Sequence, residues 1–297
     1  MTRDLMAADT RMGAVTLHVG DMTAMRTYYT RALGLDVIAE NSTGSRVTLG
    51  RGAAPIVVLV HAPDLPRPRR GEAGLFHTAI LFDDAASLAG ALARLAQHAP
   101  HTFTGSADHL VSEAFYATDP EGNGVELYVD RPRSAWRWTG SHVVMDTLPL
   151  DPNAYLQAHA TPSALEDTPG EDDAVVGHVH LQVGDVPTAR AFYVDVLGFD
   201  ETAALGHSAL FFSAGGYHHH MAANTWASMG AGPRAQSLRL AQIEIDVPSA
   251  DDVAALADRL RVAGIAHELD GGGGPGATAL LRVADPWRNE LHLTSAR

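Results

Sequence analysis

The chain contains no cysteine, and this absence limits its chemistry before any motif is considered. Without thiols the protein has no disulfide, no thiolate metal site and no cysteine nucleophile, so any metal must be bound through nitrogen and oxygen. Its 16 histidines are the main source of nitrogen ligands. No apolar run approaches the roughly 20 residues that cross a bilayer, and the first ten residues have no apolar core of the signal-peptide type. We therefore expect a cytoplasmic protein with no membrane partner.

Basic side chains are also scarce. The chain has 21 Lys and Arg against 35 Asp and Glu, a formal net charge of −14. Such a surface is poorly suited to phosphate backbones, so we expect no nucleic-acid partner. The 297 residues, 46% hydrophobic and 19% charged, are ordinary for a globular protein and long enough for two domains.

An internal repeat organises the chain. Residues 15–36 align without a gap on residues 179–200, at an offset of 164. Further along, DPEGNGVELYV at 119–129 corresponds to DPWRNELHLT at 285–294, at an offset of 166. The near-constant offset indicates duplication of a unit of about 130 residues. We therefore predict two domains, 1–131 and 175–297, joined by a connector at 132–174.

Each half reads as strand, helix and short strands, and this pattern runs twice. In the first half a strand at 15–19 precedes an amphipathic helix at 22–33, with Asp21 as its N-cap and Gly34 as its closing glycine. The resulting fold class is α+β, with four βαβββ modules numbered 1 to 4 in chain order. The remaining predicted strands are 45–50, 56–61, 77–82, 113–118, 124–129, 178–183, 208–213, 217–222, 239–247, 278–283 and 289–294, and the remaining helices are 84–97 and 249–263.

The connector has little hydrophobic period, and we predict one short helix in its DPNAYLQAH segment. Trp136 and Trp138 lie near its start, where large rings commonly fill the seam between domains. The glycine run at 271–276 lacks the Lys and Ser or Thr of a phosphate-binding loop and is predicted to be a hairpin loop.

The repeated modules, opening with HVHLQVGD-like strands and closing with DPEGNGVEL-like turns, resemble the vicinal oxygen chelate superfamily of glyoxalases, bleomycin-binding proteins and extradiol dioxygenases. The segments SAGGYHHH at 213–220, NTW at 224–226 and SADHLVSEAFY at 106–116 are similar to its two-domain, catechol 2,3-dioxygenase-like branch. The resemblance implies that two modules pair into a cup-shaped mixed sheet around one divalent metal. It implies three ligand positions, two on opening strands and one on a closing strand.

The three implied ligand positions are filled in only one way. In the second half the opening strand offers His178, whereas the first half has Ala14 there. At the next two positions the first half offers His77 and Glu126; the second half has Gln242 and His292. A site of His77, Glu126 and His178 therefore requires modules 2 and 3 to share a cup. Modules 1 and 4 would form the other cup, which we predict to be structural and free of metal.

Two imidazoles and one carboxylate leave up to three metal positions open, as in non-haem Fe(II) oxygenases. Strand alternation places His180 on the face of His178, in the substrate pocket. The resemblance makes His109 a candidate for proton transfer and Tyr116 a hydrogen-bond donor to substrate. In the triplet of histidines at 218–220, alternation places His218 and His220 on one face, which we predict to be the inward, catalytic one.

The resemblance thus implies an extradiol dioxygenase that uses Fe(II), or alternatively Mn(II), to open a catechol- or hydroquinone-type diol with O2. Two alternatives stay open at this point. One is a glyoxalase- or epimerase-like metal enzyme, which would generally need an extra carboxylate; the other is a metal-free protein that binds a small molecule, as bleomycin-binding relatives do. The sequence leaves open whether the protein is a monomer or a homodimer.

Overall fold

The structure, a computed structural model, describes residues 5–162, 174–271 and 278–295. The connector residues 163–173 and most of the predicted hairpin loop at 271–276 lie outside the described residues. None of the helices within the described ranges is long and apolar enough to cross a membrane.

Each module contributes a strand, a helix and three further strands. Module 1 comprises β1 (Arg11–Val19), α1 (Met22–Thr27), β2 (Asp36–Glu40), β3 (Arg46–Arg51) and β4 (Ala54–His61). Module 2 comprises β5 (Gly74–Phe82), α2 (Ala85–His98), β6 (Phe103–Asp108), β7 (Ser112–Thr118) and β8 (Gly124–Asp130). The connector holds β9 (Trp138–Thr139), β10 (His142–Val143) and the predicted short helix, α3 (Pro152–His159). Module 3 comprises β11 (Ala174–Gln182), α4 (Val186–Ala189), β12 (Asp200–Leu205), β13 (Ala209–Ser213) and β14 (Met221–Asn224). Module 4 comprises β15 (Arg239–Val247), α5 (Ala250–Val262), β16 (His267–Gly271), β17 (Ala279–Ala284) and β18 (Glu290–Ser295).

The helix after each opening strand begins at a side-chain cap. Asp21 accepts a hydrogen bond from the backbone N–H of Ala24, as predicted for an N-cap, and Asp84, Asp185 and Ser249 do the same at α2, α4 and α5. The predicted helix at 22–33 is α-helical only to residue 27; a π-helical turn then completes it to residue 32. Its end at a left-handed glycine, Gly34 with φ +70°, is as predicted.

The outermost strands β2, β6, β12 and β16 were not predicted individually. All four are sheet edges, and β2 is exposed along its whole length. An edge strand carries a weak apolar alternation, because one side of its backbone and much of its surface face water. The sequence signal for these strands is correspondingly faint.

The eight-stranded sheets pair modules from different halves of the chain. One sheet has the order β12-β13-β14-β11-β5-β8-β7-β6, which joins module 3 to module 2. The other has the order β16-β17-β18-β15-β1-β4-β3-β2, which joins module 4 to module 1. The exchange of modules inferred from the ligand positions is therefore present, and each sheet depends on both halves. The α+β class with two duplicated mixed sheets is confirmed.

Each half is tied together across the two sheets by a buried hydrogen bond. The Tyr29 hydroxyl, in the π-helical turn of module 1, donates to Asp119 Oδ2 at the DP turn of module 2, 3.1 Å away. In the second half the Tyr193 hydroxyl donates to Asp285 Oδ2 at 2.9 Å. Both tyrosines are fully buried, so these bonds link the modules without exposure to water.

Candidate metal centre and substrate cavity

The three predicted ligands meet at the middle of the sheet built from modules 2 and 3. Strands β5 and β11 are antiparallel with His178 opposite Ala79, and β8 runs parallel to β5 with Glu126 beside the same Ala79. Because side chains two residues apart on a strand share a face, His77 points to the same side as Ala79 and its two neighbours. The small Ala79 side chain thus lies between the ligands and leaves room for them to converge.

The donor atoms are close enough to share one ion. Glu126 Oε2 lies 3.0 Å from His77 Nε2 and 3.1 Å from His178 Nε2, and the two imidazole nitrogens are 3.3 Å apart. Neighbouring ligands about 2.1 Å from a common metal ion are separated by about 3 Å when they subtend a right angle. Among the residues that the structure describes, His77, Glu126 and His178 are the group of three or more histidine or acidic side chains whose ligand atoms lie close enough together to hold one metal ion. The donor set of two imidazoles and a carboxylate fits a divalent transition metal such as iron or manganese.

Burial and the contacts between the ligands hold His178 and Glu126 in the protonation states that bind a metal. All three side chains are almost inaccessible to solvent. Burial lowers the pKa of His178 to about 4, so its imidazole is neutral at neutral pH. Burial by itself raises the pKa of Glu126, but electrostatic attraction to the two imidazoles and their hydrogen bonds outweigh it and hold that pKa well below its usual value. The site therefore offers a carboxylate beside a neutral imidazole.

The metal-ligand group opens into a cavity of about 760 Å³, the substrate cavity. Its walls come from module 2, module 3 and the connector, so no single half encloses it. Besides the ligands, the lining includes Phe76, His109, Tyr116, His142, Val143, Met145, Asp146, His180, Phe211, His219 and Trp226.

His109 and Tyr116, both predicted as site residues, line one wall of this cavity. His109 Nδ1 is 2.8 Å from the carbonyl oxygen of Asp146 and therefore donates to it. In the neutral ring His109 Nε2 is then an acceptor, and the Tyr116 hydroxyl lies 2.7 Å from it. Tyr116 is also directly opposite Glu126 in the β7–β8 ladder. Burial, together with the Glu126 charge, raises the pKa of Tyr116 well above its usual value, so the hydroxyl stays a donor.

The predicted inward face of the histidine triplet differs from the structure. His219 lines the substrate cavity and its ring packs on His178, with centroids 4.1 Å apart. His218 lies behind it, wholly buried, and His220 lines a different cavity, where its Nδ1 accepts from Ser213. The prediction assumed a strand at 217–222, but β14 begins only at Met221.

The reason for this correction is visible in the local sequence. Gly215 and Gly216 both have positive φ, +60° and +68°, and reverse the chain just before the triplet. The histidines therefore lie in irregular backbone between this turn and β14, where a two-residue alternation does not apply. The glycine pair was the signal that could have warned against a strand, and His219 is the cavity residue that the sequence analysis missed.

His180 lies on the cavity wall as predicted, on the face of His178. Its Nε2 is 3.0 Å from Asn224 Nδ2, which donates to it. Burial lowers the pKa of His180 well below its usual value, so the ring is neutral. Its ring forms edge contacts with Phe76 and Trp226, with centroids 5.0 and 5.4 Å apart. This side of the cavity is therefore a wall of aromatic rings, called the aromatic wall below.

The connector does more than link the halves. Residues 142–147 all line the substrate cavity, and the carbonyl of Asp146 holds His109 in place. Trp136 is buried against Tyr217 of module 3, with ring centroids 5.7 Å apart, in agreement with its predicted seam role. Trp138 is 40% exposed and does not fill a seam. No motif in the connector sequence marked residues 142–147 as part of the site.

The second sheet repeats the geometry with different residues. Gln242 is opposite Thr16, as His77 is opposite His180, and His292 is beside Glu244, as Glu126 is beside Ala79. A cavity of about 1120 Å³, lined in part by Glu244 and His292, adjoins this sheet. That this cup binds no metal stays a prediction.

The family of the protein is shown by comparison of its sequence with known proteins. Residues 11–127 and 175–293 match the model of the glyoxalase/bleomycin resistance protein/dioxygenase superfamily. The chain belongs to this superfamily, as the resemblance of its motifs implied. It is similar to a protein of Bacillus subtilis (strain 168) named catechol-2,3-dioxygenase, with 37% identity over 264 residues that cover 88% of this chain and 90% of that protein.

Solved structures share the fold at low sequence identity. A putative dioxygenase from Bacillus subtilis aligns with a TM-score of 0.61 at 13% identity, covering 98% of this chain and 86% of that one. Glyoxalase I from Zea mays aligns with a TM-score of 0.57 at 17% identity, covering 97% of this chain and 92% of that one. Because a dioxygenase and a glyoxalase match about equally well, the fold does not choose between their chemistries.

Proposed function

We propose that the protein is an extradiol dioxygenase that uses Fe(II) and O2 to open the ring of a catechol- or hydroquinone-type diol. The observation that carries this proposal is the convergence of His77, Glu126 and His178 in a cavity with an aromatic wall. The 37% identity to a protein named catechol-2,3-dioxygenase supports the same reaction class.

The metal ligands set the charge of the site. Iron bound there would supply the chemistry of chelating the two diol oxygens and activating dioxygen. The protein contributes one negative charge, on Glu126, because the His178 imidazole is neutral. With so little ligand charge, the site favours a diol that has lost a proton.

Protons of the diol need an acceptor at the cavity wall, and we assign this role to His219. Its ring lines the substrate cavity beside the ligand His178, and burial, which lowers the pKa of His219 well below its usual value, keeps the ring unprotonated before a diol binds. We assign Tyr116 to the opposite task of donating a hydrogen bond to the reacting oxygen, because its hydroxyl stays protonated. We assign His109 to proton transfer, because its Nε2 lies 2.7 Å from that hydroxyl and can take up its proton.

The aromatic wall orients the ring. Phe76, His180 and Trp226 present edges and faces at centroid distances of 5.0 to 5.4 Å from one another, the spacing of favourable aromatic pairs. A planar diol packed against them would keep its apolar edge away from the metal ligands. Trp226 is 52% exposed, so the wall extends to the mouth of the cavity.

The glyoxalase-like alternative would use the same ligands with a further carboxylate. Besides Glu126, the acidic residue among the described lining of the substrate cavity is Asp146, which is exposed on the connector and accepts from the Thr147 backbone. This arrangement favours the dioxygenase. Metal-free binding of a small molecule would not explain why His77, Glu126 and His178 have the spacing of metal ligands.

The test is metal content followed by oxygen uptake. The protein is purified without oxygen, loaded with Fe(II) or Mn(II), and analysed for metal per chain beside His178→Ala and His292→Ala. We expect one iron per chain in wild type and none in His178→Ala. His292→Ala is the control and should also bind one iron, because His292 occupies in the other sheet the position that Glu126 has in this one. Oxygen uptake with catechol or hydroquinone by the iron-loaded protein would then support the dioxygenase. Bound metal without oxygen uptake on any diol would point to the isomerase chemistry, and absence of metal would refute both enzymes.

A further inference from the structure

Behind His219 runs a chain of hydrogen bonds that leads away from the substrate cavity. His219 Nδ1 is 2.7 Å from His218 Nδ1, and His218 Nε2 is 2.8 Å from Asp130 Oδ1. His218 is wholly buried, and each of its two ring nitrogens has one of these partners. Asp130 is the last residue of β8, four positions after the ligand Glu126.

The direction of each hydrogen bond follows from the carboxylate of Asp130, with which this series of hydrogen bonds ends. A carboxylate can only accept, so His218 Nε2 carries a proton and donates it to Asp130. With one proton on the His218 ring, Nδ1 is an acceptor, and His219 then carries its own proton on Nδ1. The remaining nitrogen of His219, Nε2, is left without a proton on a ring that lines the substrate cavity.

We propose that Asp130 and His218 are positioning residues that hold His219 in the tautomer with an unprotonated Nε2. This inference deepens the proposed function and rests on it for the role of His219 as a base. The reasoning is that of the Ser-His-Asp triad, in which a buried carboxylate fixes the tautomer of the histidine that accepts the proton. Here a second imidazole lies between the carboxylate and the base.

The surroundings hold the two rings in place. The His219 ring packs on His178 at 4.1 Å and meets the edge of Phe211 at 5.1 Å. On its other side His218 packs against Tyr217 and Trp136, with centroids 4.1 and 5.2 Å away. Because packing fixes the orientation of both rings, only the positions of their protons can vary. The Asp130 carboxylate sets those positions.

The experiment measures the tautomer directly, in the full-length chain without added metal. Histidine labelled with ¹⁵N distinguishes protonated from unprotonated ring nitrogens by NMR, and the signals of His219 are identified by their loss in His219→Gln. Wild type is expected to show a protonated Nδ1 and an unprotonated Nε2. In Asp130→Asn the amide can donate to His218, which permits the reversed chain, so His219 is expected to shift toward the Nε2–H tautomer.

Tyr217→Phe is the matched control. It removes a hydroxyl that bonds to Tyr128 at 2.8 Å and interacts with the Asp130 charge, but it leaves the carboxylate facing His218. Its His219 tautomer should be that of wild type. A protonated Nε2 in wild type, or an unchanged tautomer in Asp130→Asn, would overturn the proposal. This readout needs no turnover, so it stands apart from failure of the dioxygenase assignment.

With Fe(II) and a diol that the wild type turns over, Asp130→Asn should lower kcat by roughly 10–100-fold, the usual effect of losing a supporting partner. KM and metal content should stay near their wild-type values, since Asp130 is not a ligand. Equal loss of metal and activity would instead mean that Asp130 supports the metal site, and would refute the positioning role.

Discussion

His220, the triplet residue that faces away from the substrate cavity, should make the free energy of unfolding strongly dependent on pH. His220 is 8% exposed, and its Nδ1 lies 2.9 Å from Ser213 Oγ and accepts from the Ala214 backbone N–H at 3.2 Å. Burial, with smaller electrostatic effects from the neighbouring His218 and Arg133, lowers the pKa of His220 from 6.5 to about 3. The substitution to test is His220→Asn, because the Asn side-chain oxygen can accept the same bonds without taking up a proton.

The sign and size of the effect follow from proton linkage. As the pH falls below 6.5 the unfolded chain protonates at this position, whereas the folded protein resists protonation until about pH 3. The stabilising contribution is therefore complete above pH 6.5 and is lost progressively as the pH falls. Each bound proton changes the free energy of unfolding by about 1.4 kcal/mol per pH unit, which gives about 2 kcal/mol between pH 8 and pH 5.

The assay is urea unfolding of the metal-free protein at several pH values between 8 and 5. Wild type and His220→Asn should differ in the slope of unfolding free energy against pH, with the variant losing about 2 kcal/mol less over that range. His207→Asn removes an exposed imidazole, so comparison with it isolates the effect of burial. Parallel profiles for wild type and His220→Asn would refute the inference that His220 is neutral in the folded protein.

Two further substitutions test the packing around the site. Tyr29→Phe removes the buried hydrogen bond to Asp119 that joins module 1 to module 2, and should lower the free energy of unfolding by about 1–3 kcal/mol in urea titrations; a change below about 0.5 kcal/mol would show that the bond contributes little. Gly177→Ala places a Cβ 1.7 Å from the Tyr128 hydroxyl, whose ring packs on His178, so metal affinity measured by calorimetry should fall by roughly tenfold or more. Gly232→Ala, whose Cβ would meet nothing within 4 Å, is its control, and equal affinities in the two variants would contradict the role of Tyr128.

Much of the candidate metal centre could be predicted because it lies on regular strands of a repeated unit. The repeat fixes which position in one half corresponds to which in the other, and strand alternation then fixes the face. Comparing Ala14 with His178 and Gln242 with His77 was sufficient to show that neither half holds a full ligand set. The exchange of modules followed from that comparison, and the sheet order agrees with it.

The rest of the cavity could not be predicted in this way, because its residues lie outside regular strands. His219 follows two left-handed glycines, so its direction depends on a turn whose dihedral angles no periodicity describes. Asp146 belongs to the connector, which has no equivalent in the repeat. Its contact with His109 depends on how the connector folds back over module 2.

The sequence by itself determined the four modules, the family and the identity of the residues at the three ligand positions. These follow from local patterns, namely repeat offset, strand period and helix caps, which neighbouring residues set. Only the tertiary structure decided that the ligand atoms lie 3.0 to 3.3 Å apart, that His219 rather than His218 or His220 faces the cavity, and that the connector forms a wall. Those features depend on contacts between residues far apart in the chain, whose distances and directions are fixed when both sheets pack.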